Sequence, residues 1–350
     1  MRAVIMEAPG EVVVGEREDP TIVEPTDAII RLAATCICGS DLWPYRGDPA
    51  PEQPRRMGHE FLGVVEATGD EVTGVRTGDL VIAPFLWSDG TCDYCVRDLQ
   101  TSCRHGGGFG GTDEQGRLVD GGQGEYVRVP QAGGTLVPVP GGSEIDQSRI
   151  PALLALSDVM GTGHHAALAA RVGPGSTVAV VGDGAVGLCA VLAARRLGAE
   201  RVIAMSRHES RQELAVRFGA TDVVAGRGEA GAKAVSELLG GIGADSVLEC
   251  VGTKASMEQA LETVRDGGAV GYVGVPHGVE FPARRLFSRN VAVGGGVAPA
   301  RAYLPELLDD VLAGRLDPGP VFDVELPLDE VAEGYSAMHE RRAVKVLLRP

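Results

Sequence analysis

Thr177-Val178-Ala179-Val180-Val181-Gly182-Asp183-Gly184-Ala185-Val186-Gly187 is a short apolar run followed at once by G-x-G-x-x-G. The run, rich in β-branched residues, reads as a buried parallel strand. Residues 188–197, rich in Ala, Leu and Arg, read as a helix, and Gly198 supplies its stop. Arg201-Val202-Ile203-Ala204-Met205 gives a second strand, which completes strand–helix–strand in about 30 residues. In that setting Gly182 allows the tight turn, Gly184 lets backbone approach a pyrophosphate, and Gly187 lets helix pack on strand. Ala185 and Val186 join the set where the helix N-terminus turns its N–H groups toward an anion. Without those flanks the pattern would carry little, because 50 of the 350 residues are Gly. With them, the expectation is a dinucleotide site.

The end of the second strand bears on which dinucleotide. An Asp or Glu there would hold the ribose 2′-hydroxyl of NAD. The chain has Ser206-Arg207-His208 instead, with Arg211 one turn on and Glu209 three residues after Ser206. A hydroxyl followed by cations suits a 2′-phosphate; the other reading of Arg207 and Arg211 is solvated surface charge. NADP(H) is therefore favoured over NAD(H).

At 350 residues the chain has room for two domains with sizeable cores. Its hydrophobic content is 44% with no apolar run of spanning length, so a soluble protein is expected. Met1-Arg2-Ala3-Val4-Ile5-Met6 reads as a strand rather than a leader, followed by Glu7 and Pro9. A formal charge of −16 argues against nucleic acid or an anionic membrane as partner and leaves a small molecule. The seven Cys are odd in number and three stand at ligand intervals, which points to a reduced cytoplasm and metal binding rather than disulfides.

The first 150 residues carry short apolar runs between Gly, Pro and Asp, an all-β texture, as at residues 27–34, 61–66 and 79–83. Residues 106–111 and 120–124 are expected as glycine-rich surface loops. Two constellations carry chemistry. Cys38-Gly39-Ser40-Asp41 and Gly58-His59-Glu60 offer a thiol and an imidazole, either metal ligands or an ordinary core Cys and a satisfied His. Cys92-Asp93-Tyr94-Cys95 with Cys103 suggests a closed structural zinc site. Asp89, in Ser88-Asp89-Gly90, is either its fourth ligand or a turn residue. From residue 150 onward strands alternate with helices, six strands in all, as in a doubly wound α/β sheet with ligand over the strand C-termini. Cys250 and Gly274, at two of those ends, could face a nicotinamide.

Together these motifs resemble the zinc-dependent alcohol dehydrogenases of the medium-chain dehydrogenase/reductase family, over essentially the whole chain. The resemblance implies a GroES-like β-rich catalytic domain over residues 1–152 and 294–350, with a structural-zinc lobe near 88–105, and a Rossmann NAD(P)-binding domain over 153–293. It makes Cys38 and His59 catalytic zinc ligands and Ser40 the hydroxyl that bonds the reacting oxygen. Asp41 would orient His59, and Glu60 would be an alternate ligand beside the metal. The third ligand falls on Asp158, as in the formaldehyde dehydrogenase branch. A carboxylate in the apolar stretch 150–160 would be costly to bury without a strong partner. Two departures stand out: Asp89 replaces the first lobe Cys, and Trp43 stands where many members place a proton-relay His, leaving His164 and His165 as candidates for the exit. Phe85, Leu86 and Trp87, joined by Trp43, would line an aromatic substrate pocket. The last strand of the nucleotide domain implies pairing into a homodimer or homotetramer. The implied activity is reversible hydride transfer between an alcohol and a carbonyl, with zinc as Lewis acid. A zinc-free quinone oxidoreductase of the same fold and a non-catalytic NADP-binding zinc protein are the alternatives.

Overall fold

The apolar run that opens the nucleotide motif is the strand Thr177–Val181, and it lies inside a six-stranded sheet. Across that sheet the strands run Asp222–Val224, Arg201–Met205, Thr177–Val181, Ala244–Glu249, Val264–Tyr272 and Ala292–Gly295, and every neighbouring pair is parallel. That order is the doubly wound arrangement, with the reversal beside Thr177–Val181. Its strands are almost continuously buried, as a sheet covered by helices on both faces requires.

The helix after the glycine motif spans Ala185–Arg196, three residues longer at its start than the expected 188–197. Gly187 therefore sits in its first turn, where a Cβ would lie 2.1 Å from the Gly182 carbonyl oxygen. Gly182 itself has φ +121°, a conformation that favours glycine. A later helix of the same unit spans Gly228–Leu238.

In the computed structural model residues 1–48 and 54–350 are described. They form two compact units, Met1–Asp158 with Pro299–Pro350, and Val159–Ala298. The first unit is built on a seven-stranded sheet. Ala28–Cys36 pairs along one edge with Phe61–Thr68, and along the other with Tyr126–Val129 near its start and Val346–Arg349 at its end. The C-terminal strand thus returns into the sheet of the N-terminal half, with Leu347 opposite Cys36. Between them, the helix Val331–His339 packs its Tyr335 and Met338 into the same core. No helix among the described residues is long and apolar enough to cross a membrane.

Two loop expectations need correction. Residues 121–124 are buried rather than on the surface. Their glycines serve close packing: a Cβ on Gly121 would fall 2.1 Å from the Met57 carbonyl oxygen, and one on Gly122 would enter the Phe61 ring. Gly107–Gly108 is a short strand paired with Leu86–Trp87, and its neighbour Phe109 is buried. Trp87 is likewise core, not pocket wall. It is 2% exposed and stacks edge-on against Phe109 with ring centres 5.5 Å apart.

Candidate active site and metal centres

The strand Ala28–Cys36 delivers the chain to Cys38, which begins the short 3-10 turn Gly39–Asp41. The turn is closed reciprocally. The Cys38 backbone N–H donates to Asp41 Oδ2 at 3.0 Å, and the Ser40 N–H donates to Cys38 Sγ at 3.5 Å. His59 stands just ahead of the strand Phe61–Thr68, and Asp158 follows the turn Ala155–Ser157. These three far-separated segments converge. Cys38 Sγ lies 3.8 Å from Asp158 Oδ2, His59 Nε2 lies 3.7 Å from the same oxygen, and all four donors, Glu60 included, fall within 4.8 Å of one another. Donors bonded tetrahedrally to zinc at its usual sulfur, nitrogen and oxygen distances stand about 3.4–3.8 Å apart, so the spacing fits the ion.

The charge balance fits it too. Burial pushes the Cys38 thiol and the Glu60 carboxyl up, as expected where anions lack water. Burial alone would lower His59, yet the neighbouring Cys38 and Asp41 charges and hydrogen bonds to Asp158 and Cys38 carry it well above the usual imidazole range. The pocket is a buried collection of acceptors that favours a cation. Glu60 is held to one side: its Oε1 accepts from Lys345 Nζ at 2.7 Å, with Lys345 also donating to the Ile37 carbonyl at 3.3 Å. Glu60 Oε2 is buried with no partner among the described residues. Asp41 Oδ1 lies 3.6 Å from His59 Nδ1, and Ser40 is exposed.

Sequence reasoning missed three members of this surround: Lys345, Gln123 and Tyr335. Each is buried and polar, but none has a spacing that ties it to Cys38 or His59. Of the expected pocket residues, Trp43 in the helix Leu42–Tyr45, Phe85 and Leu86 are half-buried. His164 is 2% exposed and His165 half-buried, both on the helix Val159–Ala169.

The second cluster is local. Cys92 Sγ lies 3.6 Å from Cys95 Sγ and 3.8 Å from Cys103 Sγ. Those separations match sulfurs on one tetrahedral zinc and are far from a disulfide bond of about 2.05 Å. Asp89 belongs to the same group. Its Oδ1 accepts from the Thr91 and Cys92 backbone N–H groups at 2.7 and 2.9 Å, so it is a turn residue as well as a candidate ligand. Burial would raise its carboxyl, but those two N–H donors together with hydrogen bonds from Cys95 and Cys103 outweigh it and bring it down to about 2.

In the second unit, a side chain on Gly184 would meet nothing within 4 Å, whereas Gly182 and Gly187 are hemmed in by the fold. The chain itself does not require Gly184; a backbone-hugging ligand would. Gly274 presses on the backbone of Val251 and Gly252, and Cys250 Cβ lies 3.4 Å from where a Gly182 Cβ would be. The two cations read as phosphate partners part company. Arg207 is exposed. Arg211 is 8% exposed and its Nη1 donates to the Asp183 carbonyl at 3.2 Å and to Asp183 Oδ1 at 3.4 Å. Ser206 is buried and donates its hydroxyl to Asp183 Oδ2 at 2.8 Å. Arg211 is thus neither a surface charge nor an open phosphate partner, because the glycine loop's own carboxylate engages it.

The alcohol dehydrogenase GroES-like domain family matches residues 24–141, and the zinc-binding dehydrogenase family matches residues 185–313. A Mycobacterium tuberculosis protein named for zinc binding and alcohol dehydrogenase activity is 36% identical over 100% of this chain and 89% of its own length. An alcohol dehydrogenase of Cupriavidus necator is 30% identical over 100% of this chain and 99% of its own. Among solved structures, alcohol dehydrogenase TADH from Thermus sp. ATN1 superposes with a TM-score of 0.90 at 35% identity, covering 100% of this chain and 99% of its own. A zinc-binding dehydrogenase-type protein from Sinorhizobium meliloti 1021, solved bound to NADP, gives 0.82 at 27% identity, covering 100% and 99%. The chain is an oxidoreductase and belongs to the zinc-type alcohol dehydrogenases of the medium-chain dehydrogenase/reductase family.

Proposed function

We propose that the protein catalyses the reversible reaction of an alcohol with NADP+ to give an aldehyde or ketone, NADPH and a proton. In this reading Cys38, His59 and Asp158 hold the catalytic zinc, placing the chain in the branch whose third ligand is Asp. The observation that carries it is the convergence of a thiol, an imidazole and a carboxylate from three distant segments at zinc-ligand spacing. When bound, zinc would polarise the substrate oxygen as a Lewis acid and NADP+ would take up the hydride.

The chain's own groups do the rest. The exposed Ser40 hydroxyl, two residues from Cys38, relays the substrate proton, accepting it while passing its own on to solvent. Asp41 keeps a proton on His59 Nδ1, so that Nε2 presents its lone pair to the cluster. Lys345 neutralises Glu60 and holds it aside, leaving three donors and one open position. Asp89, Cys92, Cys95 and Cys103 hold a second, structural zinc. In the other unit Gly182, Gly184 and Gly187, with the helix start at Ala185 and Val186, cradle the pyrophosphate. Cys250 and Gly274 border the nicotinamide end. Arg207 is the cation left to meet a 2′-phosphate, and the relative solved with NADP supports that choice. The outer strand Ala292–Gly295 offers an unpaired edge to a second copy in a homodimer or homotetramer.

A panel of alcohols, aldehydes and ketones assayed in parallel with NAD(H) and NADP(H), alongside metal analysis, tests this. Two zincs per chain and faster turnover with NADP(H) are expected, and Arg207→Ala should raise the KM for NADP(H) alone. Equal or faster rates with NAD(H) would overturn the cofactor choice; activity that survives zinc removal would overturn the mechanism.

A further inference from the structure

Gln123 has no surface exposure, and its amide is fully engaged. Nε2 donates to the Cys36 carbonyl at 3.0 Å and to Asp41 Oδ2 at 3.2 Å, while Oε1 accepts from the Tyr335 hydroxyl at 3.0 Å. The reverse orientation would set an amide oxygen against two acceptors, so the network fixes which way the amide faces. Asp41 Oδ2 already accepts from the Cys38 backbone N–H. With that oxygen held by two donors, Oδ1 is the one left toward His59 Nδ1.

The same segment also sets the backbone ahead of His59. The Gly122 N–H donates to the Gly58 carbonyl at 2.8 Å, and the Gln123 N–H donates to the Met57 carbonyl at 2.9 Å. Gly58 has φ +97°, and a Cβ there would strike Gln123 N at 2.5 Å, so the two strips of chain lie in direct contact. Tyr335 is itself fully buried and reaches Gln123 from 212 residues away along the chain. A packing role alone would call for apolar side chains here. A buried amide with every N–H aimed, one of them at the carboxylate that faces a ligand imidazole, answers to orientation.

We propose that Gln123 and Tyr335 are positioning residues for the metal centre, locking Asp41 so that His59 offers Nε2 to the ion. The C-terminal return of the chain therefore contributes to metal affinity as well as to the fold. This rests on the reading of Cys38, His59 and Asp158 as the zinc ligands.

The test compares wild type, Gln123→Met, Tyr335→Phe and Cys38→Ser by zinc competition against a chromophoric chelator, with 15N-histidine spectra of the zinc-loaded proteins. Gln123→Met keeps the volume and removes the donors. It should weaken the cluster's zinc affinity several-fold, less than the about 10- to 100-fold cost of removing a ligand's own hydrogen-bond partner, and shift the His59 Nδ1–H signal. The lobe zinc should stay unchanged. Tyr335→Phe should move both readouts in the same direction by less, and it carries the test if Gln123→Met does not fold. Unchanged affinity and an unchanged His59 signal in the folded variants would overturn the proposal. A wild-type protein with one zinc per chain, retained in Cys38→Ser, would instead overturn the ligand reading beneath it.

Discussion

Asp89 and Cys103 are 14 residues apart, whereas 120 residues separate Cys38 from Asp158. The first tetrad, Asp89, Cys92, Cys95 and Cys103, is gathered by one excursion of the chain, and Cys92 and Cys103 are only half-buried. The second exists only once the seven-stranded sheet has formed and its final strand has come home to Ala28–Cys36. Composition differs as well. Three thiols and a carboxylate make a closed shell, the pattern of a structural zinc. A thiol, an imidazole and a carboxylate, with the fourth group tethered to Lys345, would leave a metal held there one open coordination position. A metal that only holds a loop can be ligated by that loop, while a metal that must meet substrate is ligated by the fold.

Breaking the distant tetrad should have the largest effect. Asp158→Ala removes the carboxylate whose Oδ2 lies within 3.8 Å of both Cys38 Sγ and His59 Nε2. It should cost at least about 1,000-fold in alcohol turnover, since Lewis-acid catalysis supplies several kcal/mol. Metal analysis should show one zinc per chain left. Loss of both zincs would mean that the two sites are coupled, and the contrast between them would fail.

Lys345→Met comes next. Lys345 and Glu60 have side chains 1% and 0% exposed, so removing the ammonium leaves a buried carboxylate without its counter-ion. The expected loss is about 3–5 kcal/mol in denaturant unfolding, and Glu60→Leu in the same chain should recover most of it. A neutral Lys345→Met would show that water reaches the pair.

The lobe offers a finer test. Asp89→Asn keeps an oxygen for the Thr91 and Cys92 N–H groups but loses the charge a cation would want. If Asp89 ligates, lobe zinc affinity should fall at least about tenfold while alcohol oxidation is retained. Unchanged affinity would make Asp89 a turn residue only.

The same contrast explains what could be read in the sequence. Three Cys within a dozen positions announce themselves by spacing, and the glycine motif by its flanking strands. Cys38 and His59 carry no such signature, so their pairing, and Asp158 above all, came through the family resemblance. Lys345, Gln123 and Tyr335 were invisible because the packing that brings them to Glu60 and Asp41 is long-range and leaves no periodicity. Trp87 misled because an aromatic run beside a site looks alike whether it faces a ligand or Phe109. Arg211 misled for a related reason: a cation one turn past the second strand reads as a phosphate partner, and Asp183 was not seen as its own partner.

The smallest effect separates the two clusters by chemistry rather than by mutation. Burial would raise the Cys92 thiol, but N–H donors from Arg104, Cys95 and Tyr94 outweigh it and bring it down to about 7. Cys38 lies on the other side: burial, then the Glu60 charge, push it up. After chelation of metal, iodoacetamide at pH 7.5 should therefore label Cys92 several-fold faster than Cys38, since the thiolate is the nucleophile and its gain in population exceeds its loss of basicity. The pH dependence gives the sign independently. A thiol near 7 is already largely ionised at pH 8, so the Cys92 rate should level off above neutrality. The Cys38 rate should go on climbing about tenfold per pH unit through the same range. Mass-spectrometric mapping of the labelled peptides between pH 6 and 8.5 distinguishes the two curves. A Cys38 plateau near neutrality would show that its thiolate is stabilised without any ion, and that the buried cluster does not depend on a metal for its charge.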